Sequence, residues 1–538
     1  MRLPPLPLKI LIILPWGLAV LVALFFRSPL PVDETRYLAV AWDMWREGHY
    51  LVPHLNGDPY SHKPPMLFWL MTAGWHLFGV NDWWPRLVAP VFGLGTVFMS
   101  MRLARILWPD RPEIPVTTAF ILTGTLFWCL FTTLTMFDMV LAFFAVAALA
   151  SLVFTARTGH WAGFLLTGAL IGLGVLAKGP AILLHYLPVA ISAPWWAVYL
   201  SGSDNTVVWS WTRWYTGVAS SILCAVAIGL SWAIPAGIEG GEAYRDAIFW
   251  GQSAGRIVNS FAHARPFWWY LAVLPILVLP WFLWPPLWRG FRLLFTGPVD
   301  GAQRFCVIWF TSAFFVFSLV NGKQAHYLLP EFPALAILAA YLVKDQGVKR
   351  RIDSFLPGSF LILLAVIILI SPSLPLTGRI SETIADVNSY GALLMLVSGI
   401  AVILFRAHAM GVCFATSACV VSIHLIAAPV LSTRYDLSPI SNEIKMHQKA
   451  GKAVANFGKY HGQYHFLGRL ISPLSVIGQV QGDEQHFLRE HPDGIVVAYH
   501  KELPGGIKPI SMHNYRRMIV TIWPAQALID NPGIAERR

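Results

Sequence analysis

The residues able to do chemistry are few, and they stand out against an apolar background. Asp138 lies in Leu134-Thr-Met-Phe-Asp138-Met-Val, embedded in hydrophobic sequence. A carboxylate at membrane depth is expensive and marks a functional site by default, although a helix-end cap is the plain alternative. Asp33-Glu34 follows the first apolar run, where acids can simply be solvated or can face a cavity. In His62-Lys63-Pro64-Pro65 the paired prolines suit a helix start and hold Lys63 beside it. That ammonium can snorkel to headgroups or neutralise the phosphate of a lipid ligand. Further on, Phe261-Ala-His263-Ala-Arg265-Pro266 offers an imidazole and a guanidinium whose fork matches a phosphate. Taken alone, His263 is a ligand, a base or an interfacial polar residue. Lys178-Gly179-Pro180 and Asn321-Gly-Lys323-Gln-Ala-His326-Tyr327-Leu-Leu-Pro330 mark two sharp turns that add basic groups, Lys178 being equally at home as a charge at a helix C-terminus.

The elements that must position these residues are membrane spans. Of 538 residues, 56% are hydrophobic and 12% charged, against about 25% charged in a soluble domain. That composition excludes disorder, fibrous repeats and an ordinary cytosolic enzyme. Apolar segments long enough to cross a bilayer are expected at 9–26, 83–104, 115–132, 135–155, 161–177, 180–200, 218–238, 267–287, 304–320, 327–343, 354–371, 388–406 and 409–430, about thirteen in all. The net charge of +11 sits at span ends, and its distribution fits orientation in a membrane. Short connections holding Arg102, Arg105, Arg111, Arg157, Arg289 and Arg350 are placed in the cytoplasm. Longer ones rich in acids, among them Asp33, Asp58, Asp82 and Glu242, are placed outside with the C-terminal region. No small-x-small cleavage site follows Phe26, so the first run reads as an uncleaved span with a cytoplasmic N-terminus. The five cysteines lie in apolar stretches and read as core residues.

Two regions differ from the spans. Residues 27–82 form a long loop in which 34–48 and 65–78 have helical periodicity and read as interfacial helices with aromatic anchors. Residues 432–538 have soluble composition, with 494–499 and 518–523 as buried strands and 439–457 as a helix. The fold class expected is therefore an all-α polytopic membrane protein over 1–431 with a small α/β C-terminal domain over 432–538. The chain contains no P-loop, no G-x-G-x-x-G and no zinc-spaced cysteine pairs, so neither a nucleotide cofactor nor nucleic-acid binding is expected.

The run Asp33-Glu34-x-x-Tyr37 … Pro53-His54-Leu55-Asn56-Gly57-x-Pro59-Tyr60-x-x-Lys63-Pro64-Pro65 resembles the bacterial aminoarabinose transferase and related protein-mannosyltransferase-like family, polytopic glycosyltransferases of the GT-C type. The resemblance continues through Asp138, Lys178-Gly179-Pro180, His263-x-Arg265-Pro266-Phe267-Trp268, Tyr327-Leu-Leu-Pro330 and Leu437-Ser438-Pro439. It implies an inner-membrane enzyme that moves a sugar, 4-amino-4-deoxy-L-arabinose in the lead reading, from a polyprenyl phosphate to a periplasmic-face acceptor such as lipid A. It further implies that Asp33 and Asp138 line the catalytic cavity, with Glu34 beside them. Lys63 then faces the carrier phosphate, and Tyr37, Tyr60, Lys178, Arg265 and Tyr327 bind substrate. A divalent metal, zinc or magnesium, is also implied. Where the family commonly has Glu before the lysine this chain has His62, which with His263 is the expected ligand pair. The reaction expected is inverting displacement with polyprenyl phosphate departing. The competing readings are a related transferase for a neutral pentose or hexose and a lipid-linked sugar flippase.

Overall fold

A computed structural model describes residues 7–200, 210–251, 264–346, 350–375, 384–406, 408–480, 482–504, 507–531 and 534. The chain enters through α1 (Leu8–Phe26) and turns into α2 (Asp33–Glu47), which stops where Gly48 adopts φ +78°. A tight hairpin, β1 (His54–Leu55) and β2 (Asp58–Pro59), turns on Asn56-Gly57, both at positive φ. Asn-Gly is the pairing that such a two-residue turn requires. The prolines Pro64-Pro65 then open α3 (Met66–Phe78). Next come α4 (Trp83–Leu107), α5 (Glu113–Thr123) and α6 (Leu126–Thr132), the last two bent by 70°, then α7 (Phe137–Thr158), α8 (Ala162–Lys178) and α9 (Ile182–Ile191).

α7 is the most enclosed of the long apolar helices. Its alanines, Ala142, Ala145, Ala148 and Ala150 among them, let neighbouring helices approach closely where lipid offers no hydrophobic drive. At Gly179 (φ +76°) α8 ends and the chain doubles back: Trp214 touches both Phe164, near the start of α8 (5.3 Å between rings), and the carbonyl of Ala190, near the end of α9 (3.0 Å).

Among the described residues, nine helical stretches are long and apolar enough to cross a membrane, or ten if the bent pair α5 and α6 is one span. The protein is a multi-pass membrane protein, but the thirteen expected spans are not all matched. Residues 267–287 break into a helix at Trp269–Leu277, a turn, and a new helix at Pro285–Thr296, because Pro275, Pro280, Pro285 and Pro286 remove backbone donors. Residues 388–406 yield a helix of only 13 residues, Ala392–Leu404. A second correction concerns 439–457. The helix covers Ser438–Lys449, Gly451 at φ +76° stops it, and Val454–Phe457 is a strand.

That strand, β3, is the second of a five-stranded sheet of order β4-β3-β5-β7-β6 centred on β5, with β4 at Ser475–Ile477, β5 at Ile495–His500, β6 at Ser511–Tyr515 and β7 at Met518–Pro524. β3 is parallel to β4 and β5, whereas β7 is antiparallel to β5 and β6. Apolar clusters cover both faces, one with Ile440, Val497 and Ile522, the other with Phe457, Val496 and Trp523.

The sheet packs on the loop of residues 27–82. Trp42 and Arg46 donate to the carbonyl of Leu470 (2.9 and 3.0 Å), and Asn56 exchanges two hydrogen bonds with the backbone of Leu474 (2.9 and 2.8 Å). Arg516 donates to Pro31 O (2.5 Å), and Trp75 stacks on Phe466 at 5.3 Å. Helix α2, expected at a lipid interface, is thus covered by protein: Leu38, Val40, Ala41 and Met44 are fully buried.

Candidate active site

Several of the expected residues converge at the end of the helix bundle that carries the sheet. Their framework is a buried ion pair. Arg27 and Glu34, both almost inaccessible, are joined directly. Glu34 also accepts from the amides of Leu30 (2.8 Å) and Thr135 (2.7 Å), and Arg27 donates to Thr133 O (2.8 Å). Burial alone would raise the Glu34 pKa; Arg27 and the two amides outweigh it and hold the carboxyl below its ordinary range. Glu34 was expected to bind substrate. In the structure both its oxygens are used within the protein, where they join the first loop to the segment leading into Asp138.

Asp138 occupies the first turn of α7 and is 2% exposed. Lys178, arriving from the end of α8, places its Nζ 2.5 Å from Oδ1 and 5.0 Å from the Tyr327 ring centre. Phe137, next to Asp138, joins the rest. Tyr37 meets it edge-on at 4.9 Å, Phe68 at 5.5 Å, and the Lys63 ammonium lies 5.6 Å from its centre. Tyr60 is buried between Phe68 and His62, stacking on the latter at 5.3 Å. The charges of Asp33 and Asp138 both act on Tyr37, whose hydroxyl is pushed up chiefly by its own burial. Asp33 itself is at the rim, half exposed and paired with Arg36 at 2.5 Å.

Arg265 stands further out. It is exposed, its guanidinium 6.0 Å from the Trp269 ring centre, and its backbone is joined to the 321–323 turn: its amide donates to Asn321 O, and its carbonyl accepts from Lys323 Nζ (3.0 Å). That turn leads directly into the short helix Ala325–Glu331 that carries Tyr327.

The expected metal pair fares differently. His62 is exposed and stacked on Tyr60, and His263 lies outside the described residues. Among the described residues no group of three or more His, Cys, Asp or Glu side chains is placed to hold a metal ion.

Two features were given no role from the sequence. His326, beside Tyr327, stacks on Phe131 at 5.4 Å and lies within reach of the charges of Asp138, Lys178, Lys63 and Asp33. His185 and Glu331 form a buried pair between α9 and the end of the 325–331 helix. The H-Y-L-L-P run offered a hint of the first. Nothing local offers one of the second, whose members are 146 residues apart.

Comparison with known proteins agrees with this picture. Residues 62–232, which include Lys63, Asp138 and Lys178, match the family described as dolichyl-phosphate-mannose-protein mannosyltransferase. The chain is 28% identical over 362 residues to the undecaprenyl phosphate-alpha-4-amino-4-deoxy-L-arabinose arabinosyl transferase of Edwardsiella ictaluri, covering 63% of this chain and 62% of that one. It is 29% identical over 383 residues to the enzyme of the same name from Serratia proteamaculans, covering 66% and 65%. The chain thus spans less than two thirds of the length of these curated relatives. The crystal structure of ArnT from Cupriavidus metallidurans bound to undecaprenyl phosphate superposes with a TM-score of 0.72 at 18% identity, over 98% of this chain and 99% of that one. The fold is therefore that of ArnT, and the chain resembles the bacterial aminoarabinose transferases and the protein-mannosyltransferase-like enzymes, as its first hundred residues imply.

Proposed function

We propose that this protein is an inner-membrane glycosyltransferase that moves a sugar from a polyprenyl phosphate to an acceptor at the periplasmic face. The lead donor sugar is 4-amino-4-deoxy-L-arabinose and the lead acceptor is lipid A. The observation that carries the reading is the meeting of Lys63, Asp138, Lys178 and Tyr327, drawn from four separate segments, at one end of the bundle. The basic residues of the short connections support an orientation with the site and the sheet outside.

The chemistry is displacement at the anomeric carbon. The acceptor oxygen attacks, the bond to the phosphate oxygen breaks, and the electron pair leaves with the polyprenyl phosphate. Negative charge grows on that phosphate in the transition state, so cations already fixed in place contribute most. Lys63, held by its prolines and the Phe137 face, fills that role, and Arg265 receives the phosphate from the rim. Asp138, with Lys178 as its counter-ion, orients the sugar and pairs with a cationic amino group if there is one. Asp33 stands at the acceptor side. The first loop and its sheet cover roof the reacting centre, while both lipid tails remain in the bilayer.

The test is mass spectrometry of lipid A and the other envelope glycoconjugates with and without the gene. Loss of an aminopentose from lipid A is the expected result. Loss of a neutral pentose or hexose from another glycan would change the sugar and acceptor but keep the transferase. An unaltered envelope would contradict the proposal.

A further inference from the structure

The end of the bundle away from the site carries a feature that sugar transfer does not use. The helix Gly301–Leu319, capped by Asp300, runs from that end to the 321–323 turn beside Arg265. Before it comes the helix Pro285–Thr296, which is about 18 Å long and too short to cross a bilayer. Packing fixes its inward face: a Cβ at Gly290 would collide with the carbonyl of Leu342, and Leu287 and Leu294 lie against the core. The opposite face is a row of exposed rings. Trp288 meets Phe282 at 5.3 Å and Phe291 at 6.1 Å, and Phe291 meets Phe295 at 5.4 Å. Aromatic rings along one side of a short helix, with arginines among them, suit the level of the lipid headgroups.

One buried carboxylate gathers the cations. Asp353, fully buried near the start of the helix Ile352–Ile370, takes Arg289 through both oxygens (2.6 and 2.9 Å) and accepts from the amide of Arg350 (3.0 Å). The segment bearing Arg350 and Arg351 is thereby tied to the helix bearing Arg292. Arg292, Arg350 and Arg351 are exposed, whereas Asp353 is engaged by Arg289. Lys344 and Asp345, after the neighbouring helix Phe332–Val343, are opposite in sign and leave this corner positive.

We propose that this corner binds the headgroup of an anionic phospholipid in the leaflet opposite the active site. Arg292, Arg350 and Arg351 neutralise the headgroup phosphate, and Trp288, Phe291 and Phe295 lie along the upper acyl chains. Basic pockets between spanning helices suit such lipids, each cation near the surface adding about fivefold in affinity. A free phosphate would satisfy the arginines alone; the row of rings commits the site to a lipid. The site is independent of the transferase reading, and only the naming of its leaflet as cytoplasmic rests on the orientation proposed above.

The experiment uses the full chain in detergent, with binding read as the anisotropy of acyl-labelled lipid. The probes are phosphatidylglycerol and phosphatidylcholine, with inorganic phosphate as competitor. The wild type should bind phosphatidylglycerol about tenfold or more tightly than phosphatidylcholine. The triple variant Arg292→Gln, Arg350→Gln, Arg351→Gln should cut that preference below about threefold. Lysine at the same three positions should keep most of it, which separates lost attraction from lost folding. Arg102→Gln, Arg105→Gln, Arg111→Gln removes as many exposed charges in and just after α4 and should leave the preference within about twofold of the wild type. The proposal is overturned if the wild type shows no preference, if the first Gln triple keeps it, or if the Lys triple loses it as fully as the Gln triple. It is overturned equally if both Gln triples lose the preference alike, since diffuse surface charge then attracts the lipid, or if inorganic phosphate at the same concentration displaces it.

Discussion

Asp138 and Lys178 show how a buried charge is tolerated at the edge of a bilayer. Each is costly alone, and at 2.5 Å each relieves the other. Lys178→Met leaves the carboxylate buried without its cation and is expected to destabilise the protein by about 3–5 kcal/mol. The double variant with Asp138→Asn should recover most of that loss, read as melting temperature in detergent. Glu34 behaves differently because its partners are all structural. Its folded pKa is lowered, so the stability it contributes is fully present above its ordinary value of 4.5 and is lost as pH falls through the folded value. Glu34→Gln should melt lower than the wild type at pH 7, and its melting temperature should respond less to acidification below about 4.5. A wild type and variant with parallel pH profiles would contradict that assignment. Asp138, Lys63 and Lys178 were legible in the sequence because a charge flanked by apolar residues or prolines is conspicuous. The partners of Glu34 were not, since Thr135 lies 101 residues away and its amide carries no mark in the sequence.

At the scale of elements, glycine and proline decide where the site residues point. Gly179 ends α8 with φ +76° and ψ −166°, a conformation closed to other residues, and so aims Lys178 at Asp138. Gly179→Ala is expected to cost about 1–3 kcal/mol and to displace Lys178, lowering transfer more than it lowers expression. α2 and α3 were readable from helical periodicity, and the apolar bundle from composition. The hairpin between them carried its own signature in Asn56-Gly57, which the reading of the sequence passed over. The broken segment at 267–287 was misread for a physical reason: hydropathy counts apolar side chains, whereas four prolines remove the hydrogen bonds a spanning helix needs. The end of the 439–457 helix was misjudged because Ala453-Val454-Ala455 suits either state, and pairing with β5 settles it as strand.

At the scale of the molecule, the bundle and the C-terminal sheet meet over the first loop, the segment that supplies Asp33, Tyr37, Tyr60 and Lys63. Asn56→Ala removes both hydrogen bonds to Leu474 and should cost about 1–3 kcal/mol of docking. Hydrogen exchange in residues 470–477 should quicken while α7 keeps its protection; equal exchange in both proteins would show that the contact is dispensable. The presence of a sheet was readable from strand-like runs, but its seat on the loop was not, because Trp42 and Leu470 are 428 residues apart. The account stands or falls on whether the site around Asp138 transfers sugar. The most direct measurement is transfer from undecaprenyl phosphate-linked sugar by purified protein in vesicles, comparing the wild type with Asp138→Asn and Lys63→Met, each verified as folded by its melting temperature. Transfer by the wild type and a fall of about 100-fold or more in both variants is the result expected. Undiminished transfer in the folded variants would contradict it.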